Sequence, residues 1–362
     1  MCIAGLLWSG APSRAFAAEA AVAQGTAGPA APASRAAATD TTAAAARQTA
    51  VADTDLEEPV SSSRSLDLPV SGYGVSFGNS RRFHGLRINL VDRDVEELWG
   101  INITLWQPKE NSSAIVNGLS IGLLAPAAGM LNGISLGGVA VVGESRISGI
   151  ALGGLAVVSD GSVNGISAGG LAVVADGDLQ GISIGGLASV CDGDHNGFSF
   201  GGLANVCDGD ENGFAVSGLA NVCDGAQKGI FIAGLANVCD RSQSGISIGG
   251  LANVCDGEQR GIALAGLANV TDDTYFGLDV AGLSVRAGRI QGLAAAGTYI
   301  RAHELAGVSA SVVNYYDDLQ VGLSIGVVNI ARELRGIQLG VINIAKNNPA
   351  PFTVLPIMNA HF

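Results

Sequence analysis

The sequence predicts an all-β protein, a β-solenoid of about 17 coils whose repeats span 14 to 18 residues and mostly 16. Three observations carry this prediction: a glycine that returns at a fixed period, an alternation of apolar residues after it, and single-residue slips at one place in the repeat. The strict 16-residue period joins Gly133, Gly149, Gly165, Gly181, Gly197, Gly213, Gly229, Gly245, Gly261 and Gly277. The same register glycine returns at looser spacing at Gly85, Gly100, Gly118, Gly292, Gly307, Gly322 and Gly336.

The unit that begins at Gly197 shows the pattern of a typical repeat. Phe198 and Phe200 alternate with small residues, which is the period-two signal of a β-strand. A glycine pair then precedes a second short run, Leu203 to Cys207, and an Asp-Gly turn closes the unit. Glycine pairs and β-branched residues in every repeat argue against a helix.

The place of the slip predicts that each unit bends. The unit from Gly336 to Ala345 has one residue fewer between its first strand and its asparagine than the 16-residue units have. In one continuous strand, such a deletion would turn every later side chain to the opposite face, whereas at a corner it is harmless. The glycine pair is therefore interpreted as a corner of a coil. A β-barrel or meander of similar strands, in which a bulge absorbs the slip, remains the alternative architecture.

Composition divides the chain into five parts. Residues 1–17 are expected to be a signal peptide, because an apolar start is followed by the small-x-small pattern of Ala15, Phe16 and Ala17. Residues 18–55 are expected to be an Ala-rich disordered linker, since they contain little apolar surface to bury. Residues 56–84 are interpreted as an N-terminal lead-in or cap, 85–348 as the repeat array and 349–362 as a C-terminal cap.

Charge and residue placement restrict the classes of function. The formal net charge of −13, without a clustered basic stretch, argues against nucleic-acid binding. The four histidines are scattered, and no nucleophile is spaced around them as catalysis requires. The sequence therefore predicts a protein that is not an enzyme, with no catalytic or cofactor-binding residues.

An acidic column repeats with the glycines and has two interpretations. Its members are Glu144, Asp160, Asp176, Asp192, Asp208, Asp224, Asp240, Asp256 and Asp272. Each aspartate could cap its own Asp-Gly turn, which is the common role of this pair. Alternatively, Asp192 and Asp208, with Asp194 and Asp210 two residues further on, could bind calcium through their carboxylates.

Two further columns are predicted to lie along the coil axis. Cysteines recur at Cys191, Cys207, Cys223, Cys239 and Cys255. They are interpreted as small buried residues, with disulfides between neighbours as the alternative. Asparagines recur at Asn205, Asn221, Asn237, Asn253 and Asn269, and again at Asn329 and Asn343. Stacked amides of this kind bond to one another, so their role is predicted to be structural.

The last repeats resemble a known family. The segments from Gly322 to Ala331 and from Gly336 to Ala345, followed by Leu355 to Asn359, resemble bacterial surface-repeat proteins first noted in Leptospira, with Gly-Leu-Gln-Leu-Gly-Leu-x-Asn type repeats and a Leu-Pro-x-x-Asn tail. The resemblance covers most of residues 85–362 and implies an exported, envelope-associated protein. The strict 16-residue block departs from the shorter family unit, so no binding site is carried over.

The predicted function is a non-enzymatic envelope or surface repeat protein, exported by a bacterium, with a structural or interaction role. An outer-membrane β-barrel and a calcium-binding repeat array are the alternatives. Calcium is the one cofactor left open. An envelope or protein partner and association with a membrane are compatible with the sequence, which names no particular ligand.

Overall fold

The computed structural model describes residues 65–70, 73–106 and 111–362, which belong to a unit that extends from Ser63 to Phe362. The signal peptide and the linker predicted for residues 1–55 lie outside the described residues. Twenty-seven β-strands and no helix are found in the described part of the chain. The predicted β-solenoid is confirmed: successive coils stack in parallel, about 16 residues apart, through about 16 turns.

The first strands are an antiparallel hairpin followed by one strand per coil. β1 pairs antiparallel with β2, and β2 pairs parallel with β3, which places Gly74 beside Gly85. These strands are β1 Ser65–Val70, β2 Tyr73–Gly78, β3 Arg82–Asn89, β4 Glu97–Thr104, β5 Ile115–Gly122, β6 Ala127–Gly137 and β7 Ala140–Gly153.

The strict 16-residue block has two strands per coil, one of four residues and one of seven or eight. The short strands are β8 Ala156–Ser159, β10 Ala172–Ala175, β12 Ala188–Cys191, β14 Ala204–Cys207, β16 Ala220–Cys223, β18 Ala236–Cys239 and β20 Ala252–Cys255. The long strands are β9 Ser162–Gly169, β11 Leu179–Gly185, β13 His195–Gly201, β15 Glu211–Ser217, β17 Ala226–Ala233, β19 Ser242–Gly249 and β21 Glu258–Ala265.

The last coils are made of longer strands, and the array ends with an antiparallel strand. These strands are β22 Ala268–Ala281, β23 Ser284–Ala296, β24 Tyr299–Ala310, β25 Val313–Ile325, β26 Val328–Ala345 and β27 Val354–His361. β22 to β26 pair in parallel, whereas β27 runs antiparallel to β26. The two ends of the described array therefore have antiparallel strands, while the coils between them are parallel.

The coils of the 16-residue block bend at the glycine pair, or at the Ser-Gly or Ala-Gly pair that replaces it, as the sequence predicts. Gly202 and Leu203 lie between β13 and β14, and the Leu203 amide donates to the Leu187 carbonyl of the preceding coil at 2.7 Å. The shorter unit that begins at Gly336 is accommodated at the same place, where β26 continues but its register against β27 shifts between Gly340 and Asn343. Asn329 and Asn343 keep their places in the asparagine column, and Asn329 Nδ2 donates to Asn343 Oδ1 at 2.8 Å. A deletion at this corner therefore does not change which later side chains face inward.

The register glycine is required by close stacking between coils. Gly197 has a φ of +136°, and a Cβ built on it would lie 2.0 Å from the Gly181 carbonyl oxygen. Any side chain would both clash with the neighbouring backbone and need a conformation that L-residues avoid. The register position is glycine in successive coils because the backbone of each coil packs directly against that of the next at this point.

The interior of the coil is narrow, and it mixes small and polar residues with larger apolar ones such as Leu131, Ile147 and Phe231; many other large apolar residues point outward. A Cβ on Gly201 would lie 2.0 Å from the Ala204 carbonyl oxygen, because the two sides of the coil nearly touch at the corner. Ser199 is 3% exposed, whereas Phe198 and Phe200 on the same strand are 51% and 41% exposed. The alternation seen in the sequence is therefore real, and its bulky side faces out.

Candidate functional surface

The acidic column lies along one edge of the solenoid, at the turn that joins each short strand to the next long strand. This Asp edge comprises Asp160, Asp176, Asp192, Asp208, Asp224, Asp240, Asp256 and Asp272, with a second row of Asp178, Asp194 and Asp210. The first row is exposed. Burial and the neighbouring carboxylates of Asp224 and Asp192 raise the pKa of Asp208, as expected for like charges on adjacent coils.

The calcium candidates lie together on this edge, and two of them bond to the backbone of the next coil. The Asp210 amide donates to Asp194 Oδ1 at 2.8 Å, and the Ala226 amide donates to Asp210 Oδ1 at 2.9 Å. These bonds stabilise the stacked turns. Asp192 and Asp208 belong to the exposed first row. Within the described ranges, no group of three or more His, Cys, Asp or Glu residues is placed to hold a metal ion.

The asparagine column forms a continuous row of hydrogen bonds inside the solenoid. Asn205, Asn221, Asn237 and Asn253 each donate through Nδ2 to the next asparagine Oδ1 at 2.9 Å. The same side chains also donate to backbone carbonyls, for example Asn221 to Ile232 at 3.1 Å. Asparagine therefore satisfies interior polar groups that an apolar residue would leave unpaired.

A second polar row, which the sequence analysis missed, lies inside the long strands. Gln227 donates to Glu211 Oε2 at 3.1 Å, and Gln243 donates to Gln227 Oε1 at 2.7 Å. Burial raises the pKa of Glu211 to about 8. The signal was present in the sequence, because glutamine or glutamate recurs two residues before the register glycine from Glu211 to Gln259.

His195 begins this row and is buried beside the acid. Its side chain is 3% exposed, and its Nδ1 atom lies 3.9 Å from Glu211 Oε1. Neither ring nitrogen has a hydrogen-bond partner among the described residues. Burial lowers the pKa of His195, which favours the neutral imidazole. Of the four histidines that are scattered along the sequence, His195 therefore lies inside the solenoid.

The cysteine column is buried on the inner side of the short strands. All five cysteines in the described residues are free thiols. Cys191 Sγ donates to Cys207 Sγ at 3.2 Å, and Cys207 Sγ contacts the Gly193 carbonyl oxygen at 3.2 Å. The hydrogen bond to Cys207, and then burial, raise the pKa of the Cys191 thiol. For Cys191 this environment is that of a packed interior residue, whereas the hydrogen bonds with Cys191 and Cys223 lower the pKa of the Cys207 thiol.

The opposite edge of the solenoid is apolar and exposed. At the glycine-pair corner, one residue per coil projects outward with 40% to 48% of its surface exposed. This Leu column comprises Val139, Leu155, Leu171, Leu187, Leu203, Leu219, Leu235, Leu251, Leu267 and Leu283. Monomeric soluble proteins rarely expose a continuous apolar patch of more than a few hundred Å². The Leu column is therefore the feature of the structure that most directly indicates an interaction.

The sides next to the Leu column are apolar as well. On the long strands, the residues that point outward include Ile182, Ile184, Phe198 and Phe200. On the short strands, alanine and valine point outward and are partly exposed, as at Ala204 and Val206. The sequence showed this alternation, but period two alone does not tell which of the two faces is inside.

The fold and this surface define the chain as a β-solenoid repeat protein with an apolar exterior. No protein-family model, no curated protein and no solved structure matches it. None of the described residues lies in a helix long and apolar enough to cross a membrane.

Proposed function

We propose that this chain is a non-enzymatic repeat protein of the bacterial cell envelope, exported through its N-terminal segment, in which the solenoid is a rigid structural or interaction element. The Leu column and its apolar sides are the observation that carries the proposal. An apolar surface repeated on ten successive coils is suited to contact with another envelope component.

Two further observations support the proposal. The inner columns recur in most coils and bond to each other, as Asn205 does to Asn221, so their role is to maintain the stack. The repeats between Gly322 and Ala345 and the segment from Leu355 to Asn359 resemble those of exported surface-repeat proteins. Together they favour a scaffold over a catalyst.

Cell fractionation of a bacterium that expresses the chain with a C-terminal epitope tag tests export and location. We expect the tagged chain in the envelope fraction, with a mature N-terminus at Ala18 by mass spectrometry. The substitution Ala17→Tyr should block processing, because the cleavage pattern needs a small residue there. An unprocessed chain recovered from the cytosol would overturn the proposal.

A further inference from the structure

Charged and apolar residues are separated around the central coils. The outward residue before the register glycine is polar in the central coils, as Gln180, Asn196, Lys228 and Arg260 show. The next outward residue, two positions further along the chain, is apolar, as Phe198 shows after Asn196. The outward residues then remain apolar through the corner at Leu203 and along the short strand to Val206. The Asp edge then follows. Each central coil therefore has a polar edge in register with the polar edges of its neighbours, and an apolar remainder; beyond Val270 the column of Val206 continues with Arg286 and Arg301, which end the apolar surface there.

The apolar surface is convex, because it covers the corner and both sides that meet there. A flat partner would cover one side and leave the Leu column and the other side in water. Lipid acyl chains are fluid, so they can cover the Leu column and both sides of the coil at the same time. This geometry favours lipid over a second copy of the chain or another folded protein.

The depth of the apolar surface matches one lipid leaflet. Five steps separate Phe198 from Leu203, and at about 3.3 Å per residue they span roughly 17 Å. Half of a bilayer hydrocarbon core is about 15 Å thick. Asp208 lies five steps from Leu203 along the other side, so insertion to about 15 Å would place the Asp edge just outside the hydrocarbon, at its boundary with water. The backbone is also compatible with lipid, because the corner amides bond to neighbouring coils, as the Leu203 amide does to the Leu187 carbonyl.

The charge of the protein indicates which lipids it would bind. The net charge is −13, and the Asp edge adds no attraction to anionic headgroups. Binding driven by apolar burial should therefore occur on zwitterionic vesicles and should change little with salt.

From the separated edges, the convex apolar surface and its depth, we propose that the solenoid inserts edge-on into a single lipid leaflet, with the Leu column among the acyl chains and the Asp edge in water. The inference rests on the proposed envelope role, for which it names the partner as the acyl region of a lipid layer.

Flotation of the purified chain with phosphatidylcholine vesicles tests this proposal. We expect the chain to float with the vesicles at both low and high salt. The triple variant Leu187→Glu, Leu203→Glu and Leu219→Glu should reduce vesicle partition at least about tenfold, because three charges would enter hydrocarbon. The matched control Gln180→Glu, Asn196→Glu and Asn212→Glu adds the same charge at the polar boundary and should stay within about twofold of the parent.

Other outcomes would overturn the proposal. The chain could stay at the bottom of the gradient, or float only with anionic vesicles. It could also form oligomers without lipid that the leucine variant disperses, which would identify a second copy as the occupant. Circular dichroism would check that each variant keeps its strand content. Because the purified chain needs no export, failure of fractionation and failure of flotation are separate results.

A second experiment measures how deeply each edge inserts and does not depend on the triple variant. An environment-sensitive fluorophore on Leu203→Cys should shift to the blue when vesicles are added, whereas the same probe on Asp208→Cys should not shift. Both variants carry Cys2→Ser, and the five remaining native cysteines are buried, so labelling should favour the introduced thiol. Equal shifts at both positions, or no shift at Leu203→Cys, would contradict edge-on insertion.

Discussion

Single buried side chains in this solenoid are ionisable groups that most proteins keep at the surface. Glu211 is 2% exposed and receives one hydrogen bond, from Gln227. Burial raises its pKa to about 8 from an ordinary value of 4.5. Burial also raises the pKa of Asp279 to about 7, although Asn269 donates to its carboxylate. Both groups bind protons more tightly in the folded chain than in the unfolded chain.

The substitution Glu211→Gln should therefore have an effect on stability that grows with pH. A raised folded-state pKa gives stability that is fully present below about pH 4.5 and is lost as pH rises through about 8. Glutamine has no charge to bury, so the variant should be more stable than the parent at pH 9, by on the order of 3 kcal/mol. At pH 4 the two should unfold at similar temperatures.

Thermal unfolding at pH 4, 7 and 9 measures this difference, with exposed Glu144→Gln as the control. The control removes a carboxylate that is exposed to water, so it should change the unfolding temperature little at any pH. A stabilisation by Glu211→Gln that is the same at all three pH values would contradict an ionising buried acid.

At the scale of strands, the hydrogen bonds between side chains of successive coils fix how the coils align. Asn221 accepts a bond from Asn205 and donates to Asn237 Oδ1 and to the Ile232 carbonyl. A slip of one residue between neighbouring short strands would break every such bond and would turn the inner column outward. The asparagine column therefore stabilises the register as well as the fold.

The substitution Asn221→Ala should destabilise the protein by about 2–4 kcal/mol, because Asn237 Oδ1 loses its donor and Asn205 Nδ2 keeps only its bond to the Val216 carbonyl. The matched change Asn212→Ala removes a bond from an outward asparagine and should cost less than about 0.5 kcal/mol. Chemical denaturation of both variants gives the comparison. Equal effects would show that the inner bonds add nothing to stability.

The sequence predicts the strands and the corners well, but it does not determine which face of each strand points into the coil. The slip near Gly340 favours a corner, because in one regular continuous strand it would turn every later side chain to the opposite face. Which residues face inward depends on how closely the two sides approach, and at Gly201 that distance admits no side chain. Apolar residues usually point inward, so Phe198 and Phe200 would be misplaced by that rule. The candidate surface follows from the same geometry, and period two alone could not identify it.

At the scale of the whole array, each coil contacts only its two neighbours. The free energy of unfolding should then be approximately the sum of the contributions of the single coils and of the interfaces between neighbouring coils, as in other solenoids. Because the central coils share one 16-residue period, a coil can be removed without changing the contacts that its neighbours need.

Deletion of residues 213–228 should leave a folded solenoid that is shorter by one strand spacing, about 4.8 Å. The cut joins Asn212 to Gly229 and keeps every column in register. Deletion of residues 213–220 removes half a period, joins Asn212 to Asn221 and should prevent the later coils from stacking. Circular dichroism and small-angle scattering would compare the two. Folding of both deletions, or of neither, would contradict a modular stack.

The antiparallel end strands make this array finite. A parallel stack with a bare last coil exposes unpaired amides and carbonyls that a second molecule could join, coil upon coil, without limit. β27 covers β26 in the reverse direction, and Pro356 within it has no amide proton to donate. The hairpin of β1 and β2 does the same at the other end. These end strands oppose growth into fibres, which unprotected stacking of identical coils would otherwise favour.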